Sequence, residues 1–220
     1  PFGRVGYRKD VSNRARLPGS PTLPISLPRT LPATLPTLDL LGMSLAKIDR
    51  HALCDHIFEA LAAGQGGWVV TANLDFLRRH ATDPEARALL AAADVRIADG
   101  MPLVWAARLQ GDDLPERVAG SSLVWLVAER AAAEGRSLYL LGGDPGAQER
   151  AASVLTNKWP SLLVRGSSPR FSSPPTAVEL AAAREELVSA RPDILLVALG
   201  SPKQEQVIQA LRAHLPAAWM

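Results

Sequence analysis

The chain has 220 residues, of which 47% are apolar and 21% are charged, and its formal net charge is +2 at pH 7. These values are typical of a soluble globular protein. No apolar run reaches the roughly 18 residues that a membrane-spanning helix needs, and no charged-then-apolar signal segment opens the sequence. Cys54 is the single cysteine, which excludes an internal disulfide and favours a reducing cytoplasm.

The positive charge belongs to the beginning of the chain. Residues 1–38 contain six basic residues and one acidic residue, whereas residues 39–220 contain 18 basic and 21 acidic residues. The two parts therefore have net charges of +5 and −3. Because the larger part is slightly acidic, the sequence predicts no phosphate-backbone footprint on it and no nucleic-acid partner.

Residues 1–37 are predicted to be a basic, Pro-rich and disordered leader. Seven of the 18 prolines lie within the first 38 residues. Proline removes a backbone donor and biases the preceding residue toward extended structure, so neither a helix nor a sheet can propagate. A Pro-rich ligand for another domain, or the end of a segment further upstream, are the alternative interpretations.

From residue 38 onward, short apolar strands alternate with amphipathic helices. The first helix is predicted at 50–63, with Asp49 as its N-cap. His51, Cys54 and His56 are close in sequence but do not share one helix face, so they do not predict a metal site. Strands are predicted at 38–41, 68–73, 95–98, 137–141, 162–164 and 194–199, and further helices at 74–80, 84–90, 102–109, 121–134, 145–157, 176–190 and from 202.

This alternation predicts an α/β fold, a Rossmann-like and mostly parallel sheet with helices on both faces. In such a sheet the carboxyl ends of the strands line one crevice, where ligands bind. No G-x-G-x-x-G follows a strand, and no G-x-x-x-x-G-K-[ST] is present. The sequence therefore argues against a dinucleotide dehydrogenase and against a P-loop enzyme.

Polar residues follow two of the predicted strands. Asp99 stands where a strand becomes a loop, and Pro102 suits the first helical position, which would make Met101 the N-cap. Asp99 is then too early to cap the helix, so it is either a catalytic or binding carboxylate or a brace for the turn. Thr71 and Asn73 end the preceding strand, and the competing interpretation of Asn73 is an ordinary N-cap.

Four further residues are candidates at or beside the same edge. Arg117 could pair with Glu116 or Asp113 on the surface, or could direct its guanidinium at a phosphate. Gly142 and Gly143 let a ligand approach the backbone closely. The following Asp144 and Pro145 are predicted to begin a helix, which favours a sugar or ribose over a naked phosphate at that spot. Gln204 is a ligand-binding candidate or the partner of Ser201 in a capping box.

Five motifs occur in register along the chain. They are Thr71-Ala72-Asn73, Ala98-Asp99-Gly100, Pro115-Glu116-Arg117-Val118-Ala119-Gly120, Leu141-Gly142-Gly143-x-Pro145-Gly146 and Leu199-Gly200-x-Pro202-Lys203-Gln204-Glu205. Each motif alone is modest, but together they resemble the WecG/TagA/CpsF glycosyltransferases, family 26 of the sugar transferases. The resemblance covers residues 38–220 and excludes the leader.

The resemblance implies an inverting transfer of an N-acetylmannosamine-type sugar from its UDP donor to the 4-hydroxyl of N-acetylglucosamine on undecaprenyl diphosphate. The products feed wall teichoic acid, enterobacterial common antigen or capsule. The resemblance also implies a site that contains no metal or other cofactor. It further implies that the enzyme is cytoplasmic and peripheral at the inner face of the cell membrane. The family's proposed base corresponds to Asp99, with Thr71 as the second catalytic candidate and Asn73, Arg117 and Gln204 in the pocket. The oligomeric state is left open, with a homo-oligomer as one option.

Relatives in this family continue beyond the point that Met220 occupies, with a glycine-rich turn and an arginine-bearing segment thought to contact the membrane. We therefore expect residues 38–220 to be a C-terminally truncated catalytic domain that binds UDP but transfers poorly. The alternative is a catalytically weak homologue that serves as a nucleotide-sugar-binding module. An unrelated Rossmann-type nucleotide enzyme is disfavoured by the missing glycine fingerprint.

Overall fold

The structure is a computed structural model that describes residues 35–144 and 146–220. The predicted leader, apart from residues 35–37, lies outside the described residues. Within those described ranges, no helix is both long and apolar enough to cross a membrane.

Strands and helices alternate along the described chain as the hydrophobic pattern predicts. The strands are β1 (Thr37–Leu40), β2 (Met43–Ala46), β3 (Val69–Ala72), β4 (Val95–Ala98), β5 (Ser137–Gly142), β6 (Leu163–Ser167) and β7 (Ile194–Ala198). The helices are α1 (Arg50–Ala62), α2 (Leu74–Thr82), α3 (Pro84–Ala91), α4 (Met101–Leu109), α5 (Gly120–Glu134), α6 (Ala147–Lys158), α7 (Ala177–Ala190) and α8 (Lys203–Leu211), and a short 3-10 turn covers Arg212–His214.

Five of these strands are parallel. β3 pairs with β4, and β5 lies between β6 and β7. The last residues of the chain join the two groups, because Trp219 forms parallel bridges to both Gly67 and Ile194. Its amide donates to the Asp193 carbonyl at 3.0 Å and its carbonyl accepts from Leu195 at 2.7 Å. All five strands therefore end at the same edge.

Helices cover both faces of the parallel sheets, as a doubly wound fold requires. Within β5, Leu138 packs in the core cluster that contains residues of α1, α5 and α6. Its neighbours Tyr139 and Leu141 pack in the opposite cluster, with residues of α7 and α8. Successive strand side chains point to opposite faces, so both sides of a buried strand must be apolar. The predicted α/β class is confirmed.

The described region begins with a hairpin, of which the sequence predicts only the first strand. β1 was expected, but the chain then turns at Leu41 and Gly42 and returns as the antiparallel strand β2. Leu41 and Gly42 both have positive φ, and the Gly42 amide donates to the Asp39 carboxylate at 2.9 Å. Such a turn suits glycine, which adopts positive φ without a steric penalty.

Several predicted helix caps are confirmed and others are wrong. Asp49 and Asn73 cap α1 and α2 through their side chains, as expected. α4 begins one residue early, with Gly100 at the N-cap instead of Met101. Three further cap predictions are wrong. α5 begins after Ala119 without a side-chain cap, although Ser121 or Ser122 was predicted, and the N-cap of α6 is Gly146 instead of Asp144. The N-cap of α8 is Pro202, instead of the predicted capping box of Ser201 and Gln204.

Candidate functional site

The candidate residues lie along the edge where the parallel strands end. Thr71 is the third residue of β3, and Ala72 pairs with Ala98, so Asp99 directly follows the neighbouring strand. The Asp99 amide donates to the Ala72 carbonyl at 2.7 Å. This register fixes Thr71 and Asp99 on adjacent strands at the carboxyl edge, where open α/β sheets bind ligands.

The start of α5 closes this part of the edge. The Gly120 amide donates to the Asp99 carboxylate oxygen Oδ2 at 3.3 Å. A Cβ atom at Gly120 would lie 3.3 Å from Cγ2 and 3.5 Å from Oγ1 of Thr71. The absence of a side chain at position 120 therefore lets α5 approach β3 closely. Thr71, Asp99 and Gly120 form one contiguous group, which we call the α5 corner.

The N-terminus of α5 has no side-chain cap. The first amides of a helix have no partner within the helix, and the aligned peptide dipoles place a partial positive charge there. In this chain one of those amides contacts Asp99, and Ser121 lies beside them in a cavity wall. The α5 corner thus combines a carboxylate with backbone donors that suit an anion.

A second group of candidates surrounds the end of β5. Gly142 and Gly143 both have positive φ, at 97° and 86°. A Cβ at Gly142 would lie 2.7 Å from the Ala198 carbonyl oxygen and 2.6 Å from Cδ2 of Leu199, so no side chain fits there. The Gly143 amide donates to the Ala198 carbonyl at 2.8 Å. Both glycines are therefore required by the backbone, independently of any ligand.

The two groups face a shared cavity of about 650 Å³. This volume falls within the range of pockets that hold small molecules. The walls come mainly from β3, β5, β7 and the helices α5, α6 and α8. Among the predicted site residues, those that line it are Thr71, Gly142, Gly143 and Gln204.

Asn73 and Asp99 do not line this cavity. The Asn73 side chain caps α2, accepting from the amides of Asp75 at 3.0 Å and Phe76 at 3.1 Å. The prediction that Asn73 is an N-cap is therefore confirmed for its side-chain oxygen. Asp99 is half-buried beside the cavity wall, within reach of it through Gly120.

Arg117 is exposed on the loop before α5. Neither partner expected for a surface pair is available, because Glu116 binds Arg50 and Asp113 pairs with Arg108. Within the described part of the chain, Arg117 forms no ion pair. The structure thus contradicts the surface-pair interpretation and leaves the guanidinium open to solvent.

Glu116 holds this loop in place. Its carboxylate accepts from Nε and Nη2 of Arg50, the latter at 2.7 Å, and from the Arg50 amide at 2.7 Å. The hydrogen bond from Arg50 lowers the pKa of Glu116, although partial burial opposes the shift. On the other side of Arg117, the Val118 amide donates to the Ala98 carbonyl at 2.9 Å. Arg117 therefore projects from a loop fixed at both neighbours.

Two residues of this region were missed by the sequence analysis. Glu205 follows Gln204 in the first turn of α8 and is a buried carboxylate in the cavity wall. Arg150 lies in the second turn of α6 and also lines the cavity. The motif containing Gln204 includes Glu205, but no sequence pattern distinguishes an inward-facing glutamate from a solvated one. Arg150 had no signal, because its place depends on how α6 packs.

The His51, Cys54 and His56 group is no more than part of α1. Among the described residues, no group of His, Cys, Asp and Glu side chains is suited to hold a metal ion. Burial raises the pKa of the Cys54 thiol to about 11. The Cys54 thiol is therefore protonated at neutral pH and does not act as a thiolate nucleophile.

One comparison with known protein families bears on this site. The model of the Glycosyl transferase WecG/TagA/CpsF family matches residues 38–220. The match covers the strands, the α5 corner and the cavity, and it stops short of the Pro-rich leader.

Proposed function

The chain belongs to the WecG/TagA/CpsF family of glycosyl transferases, and from this premise we propose that it transfers an N-acetylmannosamine-type sugar from UDP to a lipid-linked acceptor. The acceptor we propose is the 4-hydroxyl of N-acetylglucosamine on undecaprenyl diphosphate, attacked with inversion at the anomeric carbon. The single observation that supports this most directly is the α5 corner. It places a carboxylate next to uncapped helix amides at the rim of a cavity of about 650 Å³.

Inversion in one displacement needs a base for the acceptor hydroxyl. We assign this role to Asp99, whose Oδ2 accepts from Gly120 and whose other carboxylate oxygen can take the proton. As the acceptor oxygen bonds to the anomeric carbon, the bond to the UDP oxygen breaks and the electron pair leaves with the diphosphate. Thr71 contacts the same helix start and is assigned to orienting the reacting sugar.

The departing diphosphate must be stabilised as its charge grows. The partial positive charge at the start of α5 and the guanidinium of Arg117 are proposed to stabilise it. Arg117 supports this role because the acids beside it are already bound to Arg50 and Arg108. Arg150 is the second cation we place near the leaving group, since it lines the cavity.

The neutral parts of the donor would bind further along the edge. Gly142 and Gly143 give a ligand access to the backbone, and Gln204 offers an amide in the same wall. Because Asp144 does not cap α6, the start of that helix also remains open to a ligand. Asn73 is kept as a substrate-binding candidate through its amide nitrogen, since its oxygen already caps α2.

The proposal places the enzyme at the inner face of the cell membrane, where the lipid-linked acceptor would be anchored, and its product in a surface polymer such as teichoic acid. The test is a transfer assay with UDP-N-acetylmannosamine and a synthetic undecaprenyl-diphosphate N-acetylglucosamine. Nuclear magnetic resonance of the product would give the linkage and the anomeric configuration. A retained configuration, or transfer to a different hydroxyl, would contradict the proposed reaction.

A second candidate is a nucleotide-sugar-binding module with weak or no turnover. The observation that favours it is that Asp99 lies beside the cavity wall and is not part of it. The same assay separates the two functions, because a binding module would retain UDP affinity without forming a disaccharide.

A further inference from the structure

Glu205 is a buried residue, and one of its carboxylate oxygens has no hydrogen-bond partner among the described residues. The residue is 2% exposed, and its Oε2 atom has no hydrogen-bond partner among the described residues. Burying a polar group without a compensating hydrogen bond is costly, and an ionised carboxylate is more costly than a neutral group. A buried carboxylate in this state needs a donor from outside the described chain.

The position of Glu205 indicates where that donor comes from. The residue lies in the first turn of α8 and lines the cavity together with Gln204. Ile208, one turn further along α8, also lines the cavity and has no hydrogen-bond donor in its side chain. Because no described residue donates to Oε2 of Glu205, a ligand in the cavity is the candidate donor.

Two other buried side-chain atoms in the described residues also lack a partner. They are Nδ1 of His80 and Oε1 of Gln206. Neither residue lines the cavity. Glu205 is therefore distinguished by the combination of an unsatisfied acceptor and a place in the cavity wall.

We propose that Glu205 is a ligand-binding residue of this cavity, and that it accepts hydrogen bonds from hydroxyl groups of a nucleotide-sugar. This inference rests on the proposed function and names a specificity-determining residue for it. A carboxylate repels a diphosphate, so its partner is a neutral part of the ligand that carries hydroxyls. Two parts have this chemistry, the ribose and the transferred hexose. The diphosphate is assigned to Arg117 and Arg150, whose guanidinium groups carry positive charge.

The experiment compares the full chain with two variants, Glu205→Gln and the control Gln206→Leu. Glu205→Gln keeps the shape and removes the charge, and Gln206→Leu removes an unpaired buried oxygen outside the cavity. Calorimetric titrations would use UDP, 2′-deoxy-UDP and UDP-N-acetylmannosamine. Urea denaturation of the ligand-free chains would measure stability in parallel.

For Glu205→Gln we expect roughly tenfold weaker binding, as hydrogen bonds to a charged group are the stronger ones. A loss confined to UDP-N-acetylmannosamine identifies the hexose as the partner. A loss with UDP that is absent with 2′-deoxy-UDP identifies the ribose. The urea midpoint of the ligand-free variant should be equal or higher, because an unpaired buried charge has been removed. Gln206→Leu should leave all three affinities unchanged.

The proposal is overturned if Glu205→Gln binds every ligand as the unaltered chain does. It is also overturned if the variant unfolds at lower urea with unchanged affinities, because the carboxylate then serves the polypeptide. If the unaltered chain binds neither UDP nor UDP-N-acetylmannosamine, the proposed function fails and this inference falls with it.

Discussion

The backbone N–H of Gly120, the first residue of α5, donates a hydrogen bond to the carboxylate of Asp99 across 3.3 Å. This is longer than the usual 2.9–3.0 Å for such bonds, so the carboxylate is held without being fully occupied. A base in this position keeps an oxygen for the acceptor proton, while the helix start beside it favours the negative charge of a leaving group.

We predict that Asp99→Asn lowers the transfer rate by about 10²- to 10⁴-fold, the range associated with losing a general base. The amide oxygen of asparagine can still accept from Gly120, so the fold and the affinity for UDP should be nearly unchanged. Asp113→Asn is the control, because Asp113 lies on the surface and forms an ion pair with Arg108. A rate for Asp99→Asn within a few-fold of the unaltered enzyme would rule out the assignment.

We predict that Arg117→Ala weakens UDP binding while leaving the urea midpoint nearly unchanged. The guanidinium makes no ion pair within the described residues, so its removal breaks none there. Arg150→Ala tests the second cation, which lines the cavity. Titration of both variants with UDP decides which arginine binds the diphosphate. An unchanged affinity in both variants would mean that only the start of α5 stabilises the leaving group.

Gly120→Ala should distort the α5 corner. The added methyl would lie 3.3 Å from Cγ2 of Thr71, closer than most such contacts, and overpacking of this kind costs about 1–3 kcal/mol. We expect reduced activity and a lower urea midpoint. Thr71→Ser removes Cγ2, so the double variant should recover part of the stability lost by Gly120→Ala. Fully additive effects in this double-mutant cycle would show that the two residues do not interact.

The Arg50–Glu116 pair predicts a specific pH dependence. The hydrogen bond from Arg50 lowers the pKa of Glu116 in the folded protein. The stability from Glu116 is therefore fully present above the ordinary carboxyl pKa, and it is lost as the pH falls through the lowered one. Glu116→Gln should cost about 1 kcal/mol at pH 7, since both side chains are partly exposed. The difference between the two proteins in urea midpoint should shrink as the pH falls below about 4.

Gly67→Ala should be strongly destabilising. A Cβ at this position would lie within 2.7–2.8 Å of three ring atoms of Trp219. Trp219 joins the two groups of parallel strands, so the clash acts on the pairing that holds them together. We expect a loss of several kcal/mol by analogy with severe overpacking, measured by urea denaturation. Gly64→Ala is unsuitable as a control, because Gly64 has a positive φ. Gly100→Ala is the better control, because the atom nearest to a Cβ at that position is 3.7 Å away.

Apart from β2, the order of elements and the candidate strand ends could be predicted from the chain. Apolar runs and amphipathic stripes are local patterns, and β3, β4, β5 and β7 lie close to their predicted places. Asp49 and Asn73 could be recognised as N-caps, because each accepts from amides two and three residues further on. Such a bond needs no information from the rest of the fold.

The remaining features depend on contacts between distant parts of the chain. Ser201 was expected to cap α8, but its hydroxyl instead accepts from Arg79, 122 residues earlier in the chain, at 2.7 Å. The partner of Glu116 is Arg50, 66 residues away, which is why Arg117 has no acid beside it to bind. No local pattern contains these pairs, so the surface-pair interpretation of Arg117 could be tested only in three dimensions.

The sequence by itself determined the α/β class, the polar residues at the carboxyl ends of the strands and the family to which residues 38–220 belong. Only the tertiary structure decided that Thr71, Gly120 and Asp99 meet and that Trp219 joins two groups of strands. It also decided that Glu205, whose Oε2 has no partner among the described residues, lines a cavity. The physical reason is the range of the interactions. Periodicity and capping act within a few residues, whereas close approach and burial depend on elements that are distant in sequence.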